Sequence, residues 1–324
     1  MGDPQLYPIA SRSSVAERTT DSALHAGIPA PPALPAWVDE LFLGSATRHQ
    51  LIRLAHSDRD AALSAREACG LSLVSVQLPF ADALSAESFR SVTTELYGKI
   101  RQTQVATPAP HAIRIWNFIP GIHAPMGSGL DRYHAFNQGR FDGFMNWFGD
   151  ASKFAMLLPT ATGVGHHGHE LTIHALGSVQ PGRPIENPRQ RPAFRYSRRF
   201  GPCPPCFARA TAATLPDGLK MLIGGTASVR GEDSMHCGSL KDQLDELISN
   251  IHSLLAHARR DSADALDQID EARVYYRHSD DRAQLEAAIA PRFTAARRIE
   301  MVRADICRPE LLVEVEALAP LKEE

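Results

Sequence analysis

No apolar run in this chain of 324 residues approaches the roughly 20 residues a membrane-crossing helix needs. A membrane partner is therefore not expected. Nor is there an excess of charge of one sign. Thirty-four Lys and Arg stand against 37 Asp and Glu, a formal net charge of −3, which argues against a nucleic-acid surface. Any anion must then be held by a few local arginines. Cysteine is scarce and odd in number: Cys69, Cys203, Cys206, Cys237 and Cys307 form no disulfide-framework pattern. The first residues lack the charged, apolar and small-residue order of a secretory signal. A reducing cytoplasm is the expectation.

The composition that is present, 44% hydrophobic and 22% charged, is that of a globular enzyme with a sizeable core. Residues 1–36 are rich in Pro, Ala and Ser and end on Pro29, Pro31, Pro32 and Pro35, which reads as a flexible N-terminal arm. A second Pro/Gly/Arg-rich stretch, Gln180 to Pro205, reads as a connection between two halves.

The halves share one order of elements. In the first, Ser85 caps a helix striped by Phe89, Val92, Leu96 and Ile100. A strand (Ala112–Phe118), a helix (Tyr133–Phe148) and strands near Phe154–Leu158 and Glu170–Leu176 follow. In the second, Ser239 caps a helix striped by Leu240, Leu244, Leu247, Ile251 and Leu254. A strand (Arg273–Arg277), a helix (Asp280–Ala290) and strands near Ile299–Arg303 and Leu311–Val315 follow. Such alternation predicts a duplicated α/β unit.

Three patterns tempt and fail. Gly163-Val164-Gly165-His166-His167-Gly168 has dinucleotide-fingerprint spacing, but a strand follows it where a helix is required. His166, His167, His169, Glu170 and His174 invite a metal, yet the spacings place no two histidines on one helical face. A glycine-rich turn with exposed histidines is expected there, and no metal. Cys203-Pro204-Pro205-Cys206 sits in a proline-rich loop with no helix N-terminus to lower a thiol pKa.

Four patterns carry more. On the helix opened by Tyr133, the residues Tyr133, Asn137, Arg140 and Phe144 share one face, suited to a small cyclic carboxylate. Arg209 enters a strand beyond the proline-rich loop, as a second anion anchor or an ordinary edge arginine. Gly224 and Gly225 lie in strand context, where they mark either close ligand approach or a bulge. In Leu311–Glu316, period-2 alternation puts Leu311, Val313 and Val315 on one side and Leu312, Glu314 and Glu316 on the other. Glu314 is then either a buried, proton-bearing acid or a harmless solvent-facing edge residue.

Together RIWNFIPGI (114–122), YHAFNQGR (133–140), PCFARA (205–210), GGTAS (224–228) and DICRPELLVEVE (305–316) resemble the chorismatases, enzymes that remove pyruvate from chorismate. The C-terminal half also looks like the RidA/YjgF fold, in which an Arg grips a substrate carboxylate and a strand Glu follows about a hairpin later. Arg298 and Glu314 fall near those positions. The resemblance implies an α/β (α+β) fold of two fused RidA/YjgF-like units with mixed sheets and helices packed on one face. The units would be residues 37–180 and a catalytic unit, residues 181–324.

It implies Glu314 as the proton donor to the enolpyruvyl methylene. Arg140, Arg209 and Arg298 would hold carboxylates, with Tyr133 and Gly225 beside the substrate. The oxocarbenium ion is captured by the neighbouring ring hydroxyl, pyruvate departs, and an arene-oxide-like species aromatises. Cys307 would assist that opening, its thiol pKa lowered beside Arg308. Cys307 and Gly225 fit members that make 3-hydroxybenzoate. The overall flavour is nearest the bifunctional type, which also yields 4-hydroxybenzoate for pigment and ubiquinone precursors. No cofactor is implied, and two fused units imply a monomer. Alternatives are a hydrolytic chorismatase giving a dihydroxycyclohexadiene carboxylate, a RidA-like enamine/imine deaminase, and a non-catalytic sensor.

Overall fold

The computed structural model describes residues 30–259 and 265–322. The expected arm falls mostly on residues 1–29, outside the described residues. Its end is ordered: the Arg273 guanidinium donates to the carbonyls of Ala33 and Leu34, and Ala36 N donates to Glu300. A short helix α1 (Ala36–Leu41) follows, placing Trp37 against Trp116 with ring centroids 6.0 Å apart.

Two units of identical topology make up the rest. The first runs β1 (Thr47–Arg53), β2 (Asp60–Ala68), β3 (Leu71–Leu78), α2 (Ala86–Val105), β4 (His111–Pro120), α3 (Arg132–Phe148), β5 (Thr160–His166) and β6 (Leu171–Ser178). The second runs β7 (Arg183–Ile185), β8 (Ala210–Leu215), β9 (Gly218–Ala227), α4 (Leu240–Arg259), β10 (Glu271–Tyr276), α5 (Arg282–Ile289), β11 (Arg298–Arg303) and β12 (Val313–Pro320). Strand order is β1-β2-β3-β6-β4-β5 in one sheet and β7-β8-β9-β12-β10-β11 in the other. Adding six to each label of the first sheet generates the second. In each, the last-named pair (β4/β5, β10/β11) is parallel and every other pairing antiparallel. The duplication is thus a repeat of topology, and the division between sheets falls between Ser178 and Arg183.

Local chemistry explains the elements. Ser85 accepts from Ser88 N to start α2, whose stripe Phe89, Val92, Leu96 and Ile100 is buried. Asp131 and His134 close a reciprocal capping box on α3, and left-handed Gly149 ends it. Gly139 and Gly143 let α3 lie against α2, because a Cβ at either would strike Thr93 or Tyr97. The segment Phe154–Leu158 is a helical turn, not the expected strand. Asp150 accepts from Ser152 N and starts the turn, so the strand begins only at Thr160, past Pro159.

Helices cover one face of each sheet and form two cores, with Ile115 and Phe136 in the first and Val313, Val315 and Leu247 in the second. The helix-free faces pack on each other around Trp116, Phe118, Leu222, Tyr275 and Leu318. Parity along β12 therefore sends Val313 and Val315 to the helices, and Glu314 and Glu316 to the interface between sheets. Because β12 lies between β9 and β10, the reading of Glu314 as an exposed edge residue is excluded.

Candidate active site

The two sheets are tied together along β5 at two points. Near its start, Thr160 bridges Ala208, with Ala208 N donating to Pro159 O at 3.1 Å. At its end, Gly165 and Asp305 exchange backbone hydrogen bonds of 2.7 and 3.1 Å. Between these ties the backbones part, bridged beneath by the Thr162 side chain. The gap is a cleft of about 240 Å³, lined from one unit by Tyr133, Arg140 and Gly163 and from the other by Phe207, Arg209, Gly225, Cys307 and Glu314. Six of the seven residues singled out from the sequence converge here. The cleft belongs to both units.

Glu314 forms its floor and is 3% exposed. Its cross-strand neighbours are Ala227 and Tyr275, and no hydrogen bond or ion pair holds its carboxyl among the described residues. Burial first, then the nearby Glu316 carboxylate, push its pKa up to about 8, against the pull of Arg114 and Arg209. It carries a proton at neutral pH. Gly225 sits at a break in register between β9 and β12, where a Cβ would overlap the Glu314 carboxyl. The bulge reading of this glycine fits the register, and its missing side chain leaves room for the acid.

Arg140 is 1% exposed and meets no carboxylate among the described residues. Its Nη2 donates to Asn137 Oδ1 at 2.7 Å, and the rings of Phe136 and Phe207 lie 5.3 and 5.9 Å from its guanidinium carbon. Arg209 donates to Tyr196 Oη at 2.7 Å and to Arg191 O; it makes no ion pair among the described residues, and the buried Glu186 carboxyl is its acidic neighbour. Two buried guanidiniums without an ion pair among the described residues are costly unless an anion completes them. Burial holds the Tyr133 phenol well above its usual range, so it stays protonated as a donor.

Two expectations are corrected. Arg298 lies at the start of β11, bound to Glu40 at 2.6 Å and facing Glu271, and does not reach the cleft. The Cys307 thiol is not activated. Burial and the neighbouring Glu314 push its pKa up to about 12, outweighing Arg308, whose guanidinium lies instead over the Phe200 ring at 3.9 Å. The histidine-rich segment also differs from expectation. Gly163–His166 is strand, and His166 is buried with its ring held by Glu170 O, its pKa lowered to about 4 by burial. No cluster of His, Cys, Asp or Glu fit for a metal occurs among the described residues. Cys203 and Cys206 are free thiols, Cys206 buried.

Sequence reasoning missed Tyr196, Phe200, Phe207 and Arg308 as walls of the cleft. It also missed a polar layer beneath it. Glu316 accepts from Arg114 Nη2 (2.7 Å), Trp116 Nε1 (3.1 Å) and the Thr162 hydroxyl (2.6 Å), while Thr162 Oγ1 accepts from Gly225 N (3.1 Å). Tyr97 donates to Asn117, which donates to Thr162 O. The period-2 parity of Glu314 and Glu316 was the one available signal.

A duplicated, mixed α/β molecule with a buried acid of raised pKa and guanidiniums outside any described ion pair between its halves has the arrangement expected of a small-anion receptor. The family model described as Chorismatase FkbO/Hyg5-like, N-terminal, matches residues 52–177. A chorismatase of Streptomyces hygroscopicus is 30% identical over 238 residues, covering 71% of this chain and 67% of that protein. A 3-hydroxybenzoate synthase of Streptomyces hygroscopicus is 33% identical over 216 residues, covering 63% and 62%. A crystal structure of a chorismatase matches with a TM-score of 0.71 at 26% identity, over 84% of this chain and 80% of that one. The chain belongs to the chorismatase family. It spans less than two thirds of the length of two of the three curated relatives, 64% and 62%. No described helix is long and apolar enough to cross a membrane.

Proposed function

We propose that the protein cleaves chorismate to pyruvate and 3-hydroxybenzoate, with 4-hydroxybenzoate as a second product, and needs no cofactor. The observation that carries this reading is the juxtaposition of a proton-bearing Glu314 with two guanidiniums, Arg140 and Arg209, that make no ion pair among the described residues, in one cleft. Chorismate carries two carboxylates, and Arg140 and Arg209 each take one. Glu314 protonates the enolpyruvyl methylene, a general-acid step that contributes roughly 10²–10⁴-fold. The neighbouring ring hydroxyl then attacks the ring carbon bearing the ether. That carbon–oxygen bond breaks, its electron pair remaining on the oxygen that becomes the pyruvate ketone.

The hydroxyl proton returns to the Glu314 carboxylate. The arene-oxide-like product opens and loses a ring hydrogen as its oxygen gains a proton, so no water is consumed overall. The aromatic wall of Phe200 and Phe207 limits water, which would divert the cation to the hydrolytic diol. Cys307, uncharged, serves as a small polarisable surface where the epoxide opens.

The test is direct. Purified protein is incubated with chorismate, pyruvate is followed by a coupled assay, and the ring products are resolved chromatographically. Equal yields of pyruvate and hydroxybenzoate are expected. Pyruvate with only the diol assigns the hydrolytic reaction, and ammonia release from an imino acid without chorismate turnover assigns a deaminase.

A further inference from the structure

Burial is the first reason that Glu314 keeps its proton, yet two arginines beside it pull the other way. The charged and titratable groups facing Glu314 come from every element around it: Tyr133 of α3, Arg114 of β4, Arg209 ahead of β8, Tyr275 of β10, Cys307 in the loop into β12, and Glu316 of β12. Tyr133, Tyr275 and Cys307 are all held neutral by burial. The charges that act on its proton are then two cations, Arg114 and Arg209, which favour the ionised carboxylate, and one anion. Glu316 is that anion. It stands two residues along the same strand, on the same face, 4% exposed, and three donors secure its charge.

We propose that Glu316 is a positioning residue for the proton: paired with Arg114, it keeps Glu314 in the acid form. It acts twice. Its own charge opposes a second negative charge beside it, and it neutralises the guanidinium that would otherwise face Glu314 unbalanced. Through Thr162, which donates to Glu316 and accepts from Gly225 N, the same residue fixes the backbone against which the Glu314 carboxyl lies. Arg273, across β10 from Glu316, is neutralised separately by Glu300. Glu316 itself does not line the cleft.

The inference rests on Glu314 being the acid of the proposed reaction, and its sign follows from that. Turnover needs protonated Glu314, so it is present at low pH and lost as pH rises through the Glu314 pKa. In Glu316→Gln the alkaline limb should move down by about one unit or more. At pH 8 the rate should fall about tenfold relative to pH 6, with KM nearly constant. Glu316→Asp keeps the charge and should restore the limb whatever its absolute rate.

Should Glu316→Gln fold poorly, the double variant Arg114→Met/Glu316→Gln removes both buried charges. Such replacement is often tolerated, and it should move the limb the same way, because the anion outweighs the cation at Glu314. A purely structural role would lower the rate equally at all pH and leave the limb in place, which overturns the proposal. The Glu314 carboxyl is also titrated without substrate by carbon-13 NMR of labelled glutamate, assigned by its absence in Glu314→Gln. A shifted titration without chorismate turnover supports the electrostatic role and refutes the function; turnover with an unshifted titration does the reverse.

Discussion

Replacing Glu314 with Gln separates the acid's chemical role from its cost to the fold. Gln keeps the shape and cannot ionise. In the folded chain the Glu314 pKa is about 8, against 4.5 for an ordinary glutamate. At 1.36 kcal/mol per unit, the difference corresponds to about 5 kcal/mol, an upper figure for what ionisation costs the buried site. The sign follows from proton linkage. The folded state holds a proton that the unfolded chain releases, so this contribution to stability is full below pH 4.5 and is lost as pH rises to 8.

Other groups titrate in both proteins, so the difference between wild type and Glu314→Gln isolates this one. Urea unfolding midpoints measured at intervals from pH 5 to 9 should show the variant gaining stability relative to wild type up to pH 8 and levelling off above it. Pyruvate release should meanwhile fall roughly 10²–10⁴-fold. A stability difference that does not change with pH would mean Glu314 is not buried as an acid. Turnover within a few-fold of wild type would mean that it is not the proton donor.

Other substitutions probe the remaining parts of the cleft. Cys307→Ala should shift ring products toward the hydrolytic diol or slow aromatisation, read by chromatography; an unchanged ratio excludes the thiol from product choice. Gly225→Ala drives a methyl group into the Glu314 carboxyl. It should cost about 1–3 kcal/mol of stability by overpacking and lower kcat, both absent if the carboxyl simply swings aside. Arg140→Met should lower kcat/KM about 10–150-fold, the value of a charged hydrogen bond of about 1.5–3 kcal/mol, and should stabilise the free protein by removing an unpaired buried cation. Unaltered kcat/KM would remove Arg140 from carboxylate binding.

Local patterns were readable because local physics sets them. Ser85, Ser239 and the stripe of α2 depend only on helix period and orphan backbone amides, and they lie where the pattern puts them. The alternation along β12 likewise needed no tertiary knowledge. What misled was composition without context. Phe154–Leu158 is apolar enough for a strand but is initiated as a helical turn by Asp150. The glycines of 163–165 resemble a turn, yet Gly165 lies in β5, where a Cβ would strike Ile122.

By itself the chain's order of residues determined the repeated sequence of elements and the pairing of Glu314 with Glu316 on one face. It also settled the absence of a broad positive field, since each is a property of nearest neighbours or of sums. Only the packing of two sheets decided which arginines were left without partners. Arg140 and Arg209 make no ion pair among the described residues, while Arg298, equally basic in the sequence, is bound to Glu40 some 258 positions away. The same packing raised the Cys307 pKa, because burial and a neighbouring acid outweigh the adjacent Arg308. Charge is written residue by residue, but whether it is solvated, paired or stranded depends on what long-range contact brings beside it.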